Sequence, residues 1–179
     1  MNEHLRWQEL SREEAWKAPA GNRHIDKVTY KMPDGTTGDY YLSRSGNSAV
    51  TLAMTKDQQV ILAKQYRPGK DQVVCDLPGG GIKEGQTPEE AARAELLEET
   101  GYDGTFQFVT TSLPDGYSMR ISHCFVATDC QKVAEQNLDP HEFIDVVLMP
   151  LEEFKDYVRT GKMTDLDAAM LGLDFLKLL

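Results

Sequence analysis

DLPGGGIKEGQTPEEAARAELLEETGY, residues 76–102, is the stretch that decides the reading of this chain. Near its end stand Glu95, Glu98 and Glu99, at positions i, i+3 and i+4. On an α-helix that spacing puts all three carboxylates on one face. Like charges so placed repel by roughly a few tenths of a kcal/mol per pair, so the helix alone gains nothing from them. A hard divalent cation is the natural counter-charge. In front of the helix lie Gly79, Gly80, Gly81 and Gly85, a loop whose backbone can come close to a ligand.

The flanking residues predict where this helix starts and stops. Thr87 fits the N-cap, Pro88 the first helical position and Glu90 the third, which makes a capping box. Ala91, Ala92, Ala94, Leu96 and Leu97 are strong helix formers. Gly101 fits the position that ends the helix. An isolated acidic triplet is most often a solvated helix face. Loop, cap and stop together argue against that here.

The segment resembles the Nudix box, the signature of hydrolases that cleave a nucleoside diphosphate linked to another group. The family pattern is Gx5Ex7REUxEExGU, with U a bulky aliphatic or aromatic residue. Gly80, Glu95, Leu96, Glu98, Glu99, Gly101 and Tyr102 fall on it in register. Two positions depart: the first glutamate is Gln86 and the arginine is Ala94. Arg93 does not simply substitute, because it sits roughly 120–160° around the helix from the three glutamates. In the family the two missing side chains support loop and helix, and losing both leaves no orphan charge.

Working outward, residues 25–32 and 38–44 read as strands flanking the turn Pro33-Asp34-Gly35. Residues 48–54 and 59–66 read as a second antiparallel pair around Lys56-Asp57. A further segment covers 72–77, and strands are expected at 104–111, 119–127 and 143–149. A short helix is expected at 11–17, with longer ones at 151–160 and 164–179. The last has Leu166, Ala169, Met170, Leu173 and Leu176 on one side. Strands around a central helix, followed by helices, indicate an α/β sandwich. The resemblance implies the same fold class, a Nudix α/β/α sandwich with a mixed sheet and an N-terminal antiparallel hairpin. It divides the chain at residues 1–45 and 46–179. The hairpin is similar to the element that members of the ADP-ribose and nucleoside-diphosphate-sugar branch use to form a homodimer.

The chain has 179 residues, 40 % hydrophobic and 27 % charged, with a formal net charge of −10. The length suffices for a proper core. The charge argues against nonspecific binding to nucleic acid or an anionic membrane. No apolar run approaches a membrane span, and the start of the chain is too polar for a signal peptide. Cys75, Cys124 and Cys130 lack metal-site spacing and read as reduced packing thiols of a cytoplasmic protein.

Other residues gain roles through the resemblance. Arg67, in QYRP, stands where the branch has an arginine on substrate phosphate, which suits a guanidinium fork. Glu142 lies in a polar loop where the branch has a catalytic glutamate, with Asp139 and His141 as neighbours that could take that role. Pro114-Asp115-Gly116-Tyr117 is similar to a Ser-Pro-Gly loop of ADP-ribose enzymes, although the serine position is Leu113. Tyr117 is also close to where dinucleoside-polyphosphate hydrolases place a tyrosine. Trp7 and Trp16 read as packing for the N-terminus, and His123 as a core histidine.

The resemblance therefore implies pyrophosphate hydrolysis in a nucleoside diphosphate sugar, such as ADP-ribose or GDP-mannose. Glu95, Glu98 and Glu99 would hold magnesium or manganese, with a backbone carbonyl near Gly79. Gly80, Gly81, Arg67 and Tyr117 would meet the substrate. Glu142, or a glutamate of the box, would take a proton from water. Two other readings stand beside it: action on dinucleoside polyphosphates or capped RNA ends, and a nucleotide-binding module with weakened catalysis.

Overall fold

Two compact units make up the chain in the computed structural model, which describes residues 3–19 and 23–179. One unit is Met1–Gly46 with Leu113–Ile121, the other Asn47–Ser112 with Ser122–Leu179.

In the first unit the turn signal works as expected. Gly35 takes φ +86° and closes the turn between two strands, with Asp34 accepting from Thr36 N–H at 2.9 Å. The flanking strands are β2 (Arg23–Lys31) and β3 (Thr37–Ser45), antiparallel, with Val28 opposite Tyr40 and Asp26 opposite Leu42. The expected helix at 11–17 is instead part of a strand, β1 (Gln8–Lys17), which runs antiparallel along β2. Its ten residues are all exposed, so it had no apolar stripe with which to dock as a helix. Cross-strand partners draw it into the ladder: Arg12 pairs with Asp26, and Glu14 with His24 and Arg44. Trp7 packs on Tyr30 and Tyr40, with ring centroids 5.9 and 4.9 Å away, which ties down the N-terminal residues. Trp16 is largely exposed. Residues 113–121 join this unit through Ser43 N–H to the Tyr117 carbonyl, 2.8 Å, and Met119 N–H to the Ser43 carbonyl, 2.9 Å.

The second unit is a layered α/β structure with a mixed sheet. The strands are β4 (Ser48–Thr55), β5 (Gln59–Arg67), β6 (Gln72–Asp76), β7 (Gly79–Gly81), β8 (Tyr102–Ser112), β9 (Ser122–Lys132) and β10 (Ile144–Pro150). Their order is β10-β5-β4-β9-β8, with β6 on β5 and β7 on β4. In this sheet, among the described residues, only β4 and β9 pair in parallel. The glycine stretch expected as a loop is thus a short strand, because Gly79, Gly80 and Gly81 pair with Val50, Ala49 and Ser48. The strand expected at 119–127 begins later, at Ser122, since 119–121 belong to the loop of the first unit.

Alternation along β4 separates two cores. Ala49 and Ala53 face helix α1 (Pro88–Thr100), whose Ala91, Ala92 and Leu96 are buried. Val50 and Leu52 face α2 (Leu151–Arg159) and α3 (Leu166–Phe175) through Phe154, Val158, Ala169 and Leu173. Helix α3 is shorter than expected, and its buried side is Ala168, Ala169, Gly172 and Leu173, while Met170 is exposed. A Cβ on Gly172 would lie 2.8 Å from Leu52, so this stripe packs by close approach. Cys75, Cys124 and Cys130 are free, the last two buried. Among the described residues no helix is long and apolar enough to cross a membrane.

Candidate active site

Helix α1 is fixed at both ends. Thr87 is the N-cap: its hydroxyl accepts from Glu90 N–H at 3.2 Å, and the Glu90 carboxylate accepts from Thr87 N–H at 2.8 Å. At the other end Gly101 is left-handed, φ +78°, and donates to the Leu97 carbonyl at 2.8 Å. A Cβ there would sit 2.2 Å from the Ala134 carbonyl oxygen, so only glycine fits. The last carbonyls of the helix are then satisfied by one segment. Asn137 N–H donates to Glu98, the Gln136 amide to Glu99, and Val133 and Ala134 N–H to Gly101. Gln136 also donates to the Ile144 carbonyl at 3.0 Å, so it joins α1 to the start of β10.

This framework places Glu95 and Glu99 against the glycine strand. Glu99 is buried, and its carboxylate accepts from Gly79 N–H at 3.1 Å. The Glu95 carboxylate lies over Gly80, where a Cβ would come within 2.5 Å of it. A side chain at Gly80 would push this carboxylate aside. Burial is the main reason that the Glu99 pKa is pushed up to about 8, partly offset by Gly79 N–H and raised further by Glu95 and Glu142. Burial likewise pushes Glu95 up to about 7, with the Glu98 charge adding to it. The opposing charges that act on the pair are Lys83 on Glu95 and Arg67 on Glu99. Both acids thus hold a proton more readily than a free carboxylate, and a bound cation would oppose that. Among the described residues no three carboxylate, imidazole or thiolate side chains converge closely enough to enclose an ion. The donor chemistry nevertheless fits a hard cation: carboxylates on one helix face beside close-lying backbone.

Arg67 ends β5 and is already engaged. Its Nε donates to Asp76 Oδ2 at 2.6 Å, and the other Asp76 oxygen accepts from Thr164 N–H at 2.7 Å. Glu142 is exposed in the loop before β10, and its carboxylate accepts from Asp139 N–H at 3.0 Å, closing a turn. Its charge still reaches Glu95 and Glu99. His141 in the same turn has φ +79°. Tyr117 is exposed and belongs to the first unit, while Arg67, Gly79, Gly80, Gly81, Glu95, Glu98, Glu99 and Glu142 all belong to the second. His123 is half-buried, 6.4 Å from the Phe108 ring.

At the departures from the box, Gln86 has a local role, and Arg93, the neighbour of Ala94, is engaged elsewhere. The Gln86 amide oxygen accepts from Lys83 N–H at 3.2 Å, so it closes the turn in front of α1. Arg93 points away to Asp103 and lies 4.5 Å over the Phe106 ring, which anchors α1 to β8. Asp76, Gln136 and Asn137 escaped sequence reasoning. Asp76 carried a signal: in QVVCD it falls on the inward side with Val74, where an unpaired acid would be costly.

Residues 45–167 match the NUDIX domain. The chain is similar to a methanol dehydrogenase activator of Bacillus methanolicus, 26 % identical over 157 residues, covering 86 % of this chain and 83 % of that one. It is also similar to an ADP-ribose pyrophosphatase of Bacillus subtilis (strain 168), 25 % identical over 163 residues, covering 89 % and 87 %. A crystal structure of an ADP compounds hydrolase shares its fold, with a TM-score of 0.78, 22 % identity, and coverage of 96 % and 94 %. With its capped acidic helix set against the glycine strand, the chain belongs to the Nudix family.

Proposed function

We propose that this Nudix hydrolase cleaves the pyrophosphate bond of a nucleoside diphosphate sugar, of the ADP-ribose or GDP-mannose type. The products are a nucleoside monophosphate and a sugar phosphate. The observation that carries the reading is the placement of two carboxylates of one helix face, half-buried Glu95 and buried Glu99, against Gly80 and Gly79. Glu95, Glu98 and Glu99 would hold magnesium or manganese, with the Gly79 carbonyl as a further donor. Such a cation, when bound, neutralises the diphosphate and lowers the pKa of an attacking water.

The chain supplies the rest. Gly80 and Gly81 let the diphosphate approach backbone. The Arg67 pair uses Nε, so the two-pronged end of the guanidinium is left for phosphate oxygens. Glu142 takes the proton of the water as its oxygen bonds to phosphorus and the bridging P–O bond breaks. Asp139 N–H holds one oxygen of this carboxylate, and the other is left to accept the proton.

A homodimer completes the proposal, with residues 1–45 as its element beside the hydrolase domain of residues 46–179. Leu5, Trp7, Leu10 and Trp16 leave apolar surface exposed on the first unit, and an isomorphous second copy would cover it. Three free cysteines and the acidic composition support a cytoplasmic protein that needs no nucleic acid or membrane. The test is a panel of diphosphate compounds, including dinucleoside polyphosphates, with and without metal. Turnover confined to nucleoside diphosphate sugars supports the reading; preference for dinucleoside polyphosphates overturns it.

A further inference from the structure

We infer that Asp76 is a positioning residue for the reaction, holding Arg67 by Nε so that the free prongs of the guanidinium face the diphosphate. The inference rests on the Arg67 role proposed above. Three observations carry it. Asp76 is wholly buried, and each of its oxygens has a donor, Arg67 Nε and Thr164 N–H. Donors from two separate parts of the chain fix the orientation of this carboxylate. The ladder gives the direction. Asp76 pairs with Ala63 and Arg67 with Gln72, so the Arg67 side chain runs back past the Gln65–Val74 pair to reach it. That draws the guanidinium from the end of β5 toward Gly79, three residues beyond Asp76, where Glu99 docks. The Thr164 bond in turn fixes Asp76 to the segment between α2 and α3, so the anchor does not swing with its partner.

Asp76→Asn is the discriminating change. The amide oxygen can still accept from Thr164 N–H, while its NH2 group meets Arg67 as donor against donor. Kinetics of ADP-ribose hydrolysis with magnesium are measured for Asp76→Asn, Arg67→Lys and the double variant, alongside thermal melts. A shifted guanidinium lowers kcat/KM by roughly ten- to hundredfold in Asp76→Asn, largely through KM. The double variant falls no lower than Arg67→Lys, because both changes remove the same orientation. Additive losses, or a change in melting alone, overturn the inference. Where Asp76→Asn does not fold, Asp76→Glu serves: it keeps the charge and displaces it by one methylene. It raises KM when Arg67 is present and leaves KM unaltered with Arg67→Lys; equal effects in both backgrounds contradict the inference. Wild-type kinetics in Arg67→Lys would instead refute the role of Arg67 itself.

Discussion

Helix α1 and strand β1 both cover segments expected to be helical, and they end as opposite structures. The segment of α1 carries a capping box, Thr87 to Glu90. In α1 the box forms, and Ala91, Ala92 and Leu96 bury a stripe against the sheet. In β1 no residue is buried, and the Glu14 carboxylate serves His24 and Arg44 across the ladder. A cap contributes only about 1 kcal/mol, so packing decides between the two. The acids also differ. Those of the first unit are matched: Asp26 meets Arg12 and Arg44, and Glu14 meets His24 and Arg44. Those of α1 crowd together, with only Lys83 and Arg67 opposing them. Matched acids build structure, and unmatched ones await a ligand.

The largest expected effect separates these roles. Glu98→Gln and Glu99→Gln each lower the rate of ADP-ribose hydrolysis roughly tenfold or more, the scale seen even for outer partners of a metal. Both variants keep the wild-type circular dichroism. Glu14→Gln leaves turnover unchanged. Equal turnover across all three variants would erase the distinction between the two acid clusters.

Next in size is Arg67→Ala, read by denaturant unfolding. It strands the buried Asp76 carboxylate, and breaking such a pair costs about 3–5 kcal/mol. Adding Asp76→Asn in the Arg67→Ala background recovers part of that loss. A loss under about 1 kcal/mol would mean that the pair behaves like a surface ion pair.

Much of this was visible in the chain beforehand. Thr87, Gly101 and the hairpin turn at Gly35 were readable because each fixes a local backbone geometry. Glu95, Glu98 and Glu99 were readable from helical spacing. What was not readable depends on partners far along the chain. β1 is a strand because of Asp26, His24 and Arg44, and Gly79–Gly81 is a strand because β4 lies alongside. Helix α3 buries Gly172 in place of Met170 because Leu52 fills the room that a side chain would need. Asp76 was passed over because its partner Arg67 was read only as a phosphate ligand.

A subtler difference lies in pH dependence. Glu95 and Glu99 titrate higher in the fold than in the unfolded chain, so between about pH 4.5 and 8 the folded state holds protons the unfolded state has lost. Stability of the chelated protein therefore falls as pH rises through that window. In the first unit the signs reverse. The His24 hydrogen bond holds Glu14 low, and for Asp26 the bonds from Arg12 and Arg44 outweigh its burial, so both sit below the usual carboxylate range. Their contribution is present above that range and lost as pH falls through it. Melting temperature against pH in a chelator should peak in mildly acidic solution, and magnesium should flatten the alkaline limb. A chelated protein that gains stability from pH 5 to 8 would break this account.

The smallest effect tests the cap of α1 against an exposed serine of β1. Thr87→Ala costs about 1 kcal/mol, since a real cap is lost. Ser11→Ala stays within about 0.5 kcal/mol, as for an exposed residue outside such features. Equal costs in denaturant melts would mean that the Thr87 cap adds nothing beyond an exposed hydroxyl.

The central claim is that the unmatched acids of α1 serve metal-dependent cleavage of a diphosphate. The most direct measurement follows ADP-ribose with the purified protein in chelator, then after magnesium is restored, resolving products by chromatography. The account predicts no cleavage in chelator, and AMP with ribose 5-phosphate once magnesium is present. Cleavage at the same rate in chelator, or intact ADP-ribose at every magnesium and manganese concentration, would contradict it.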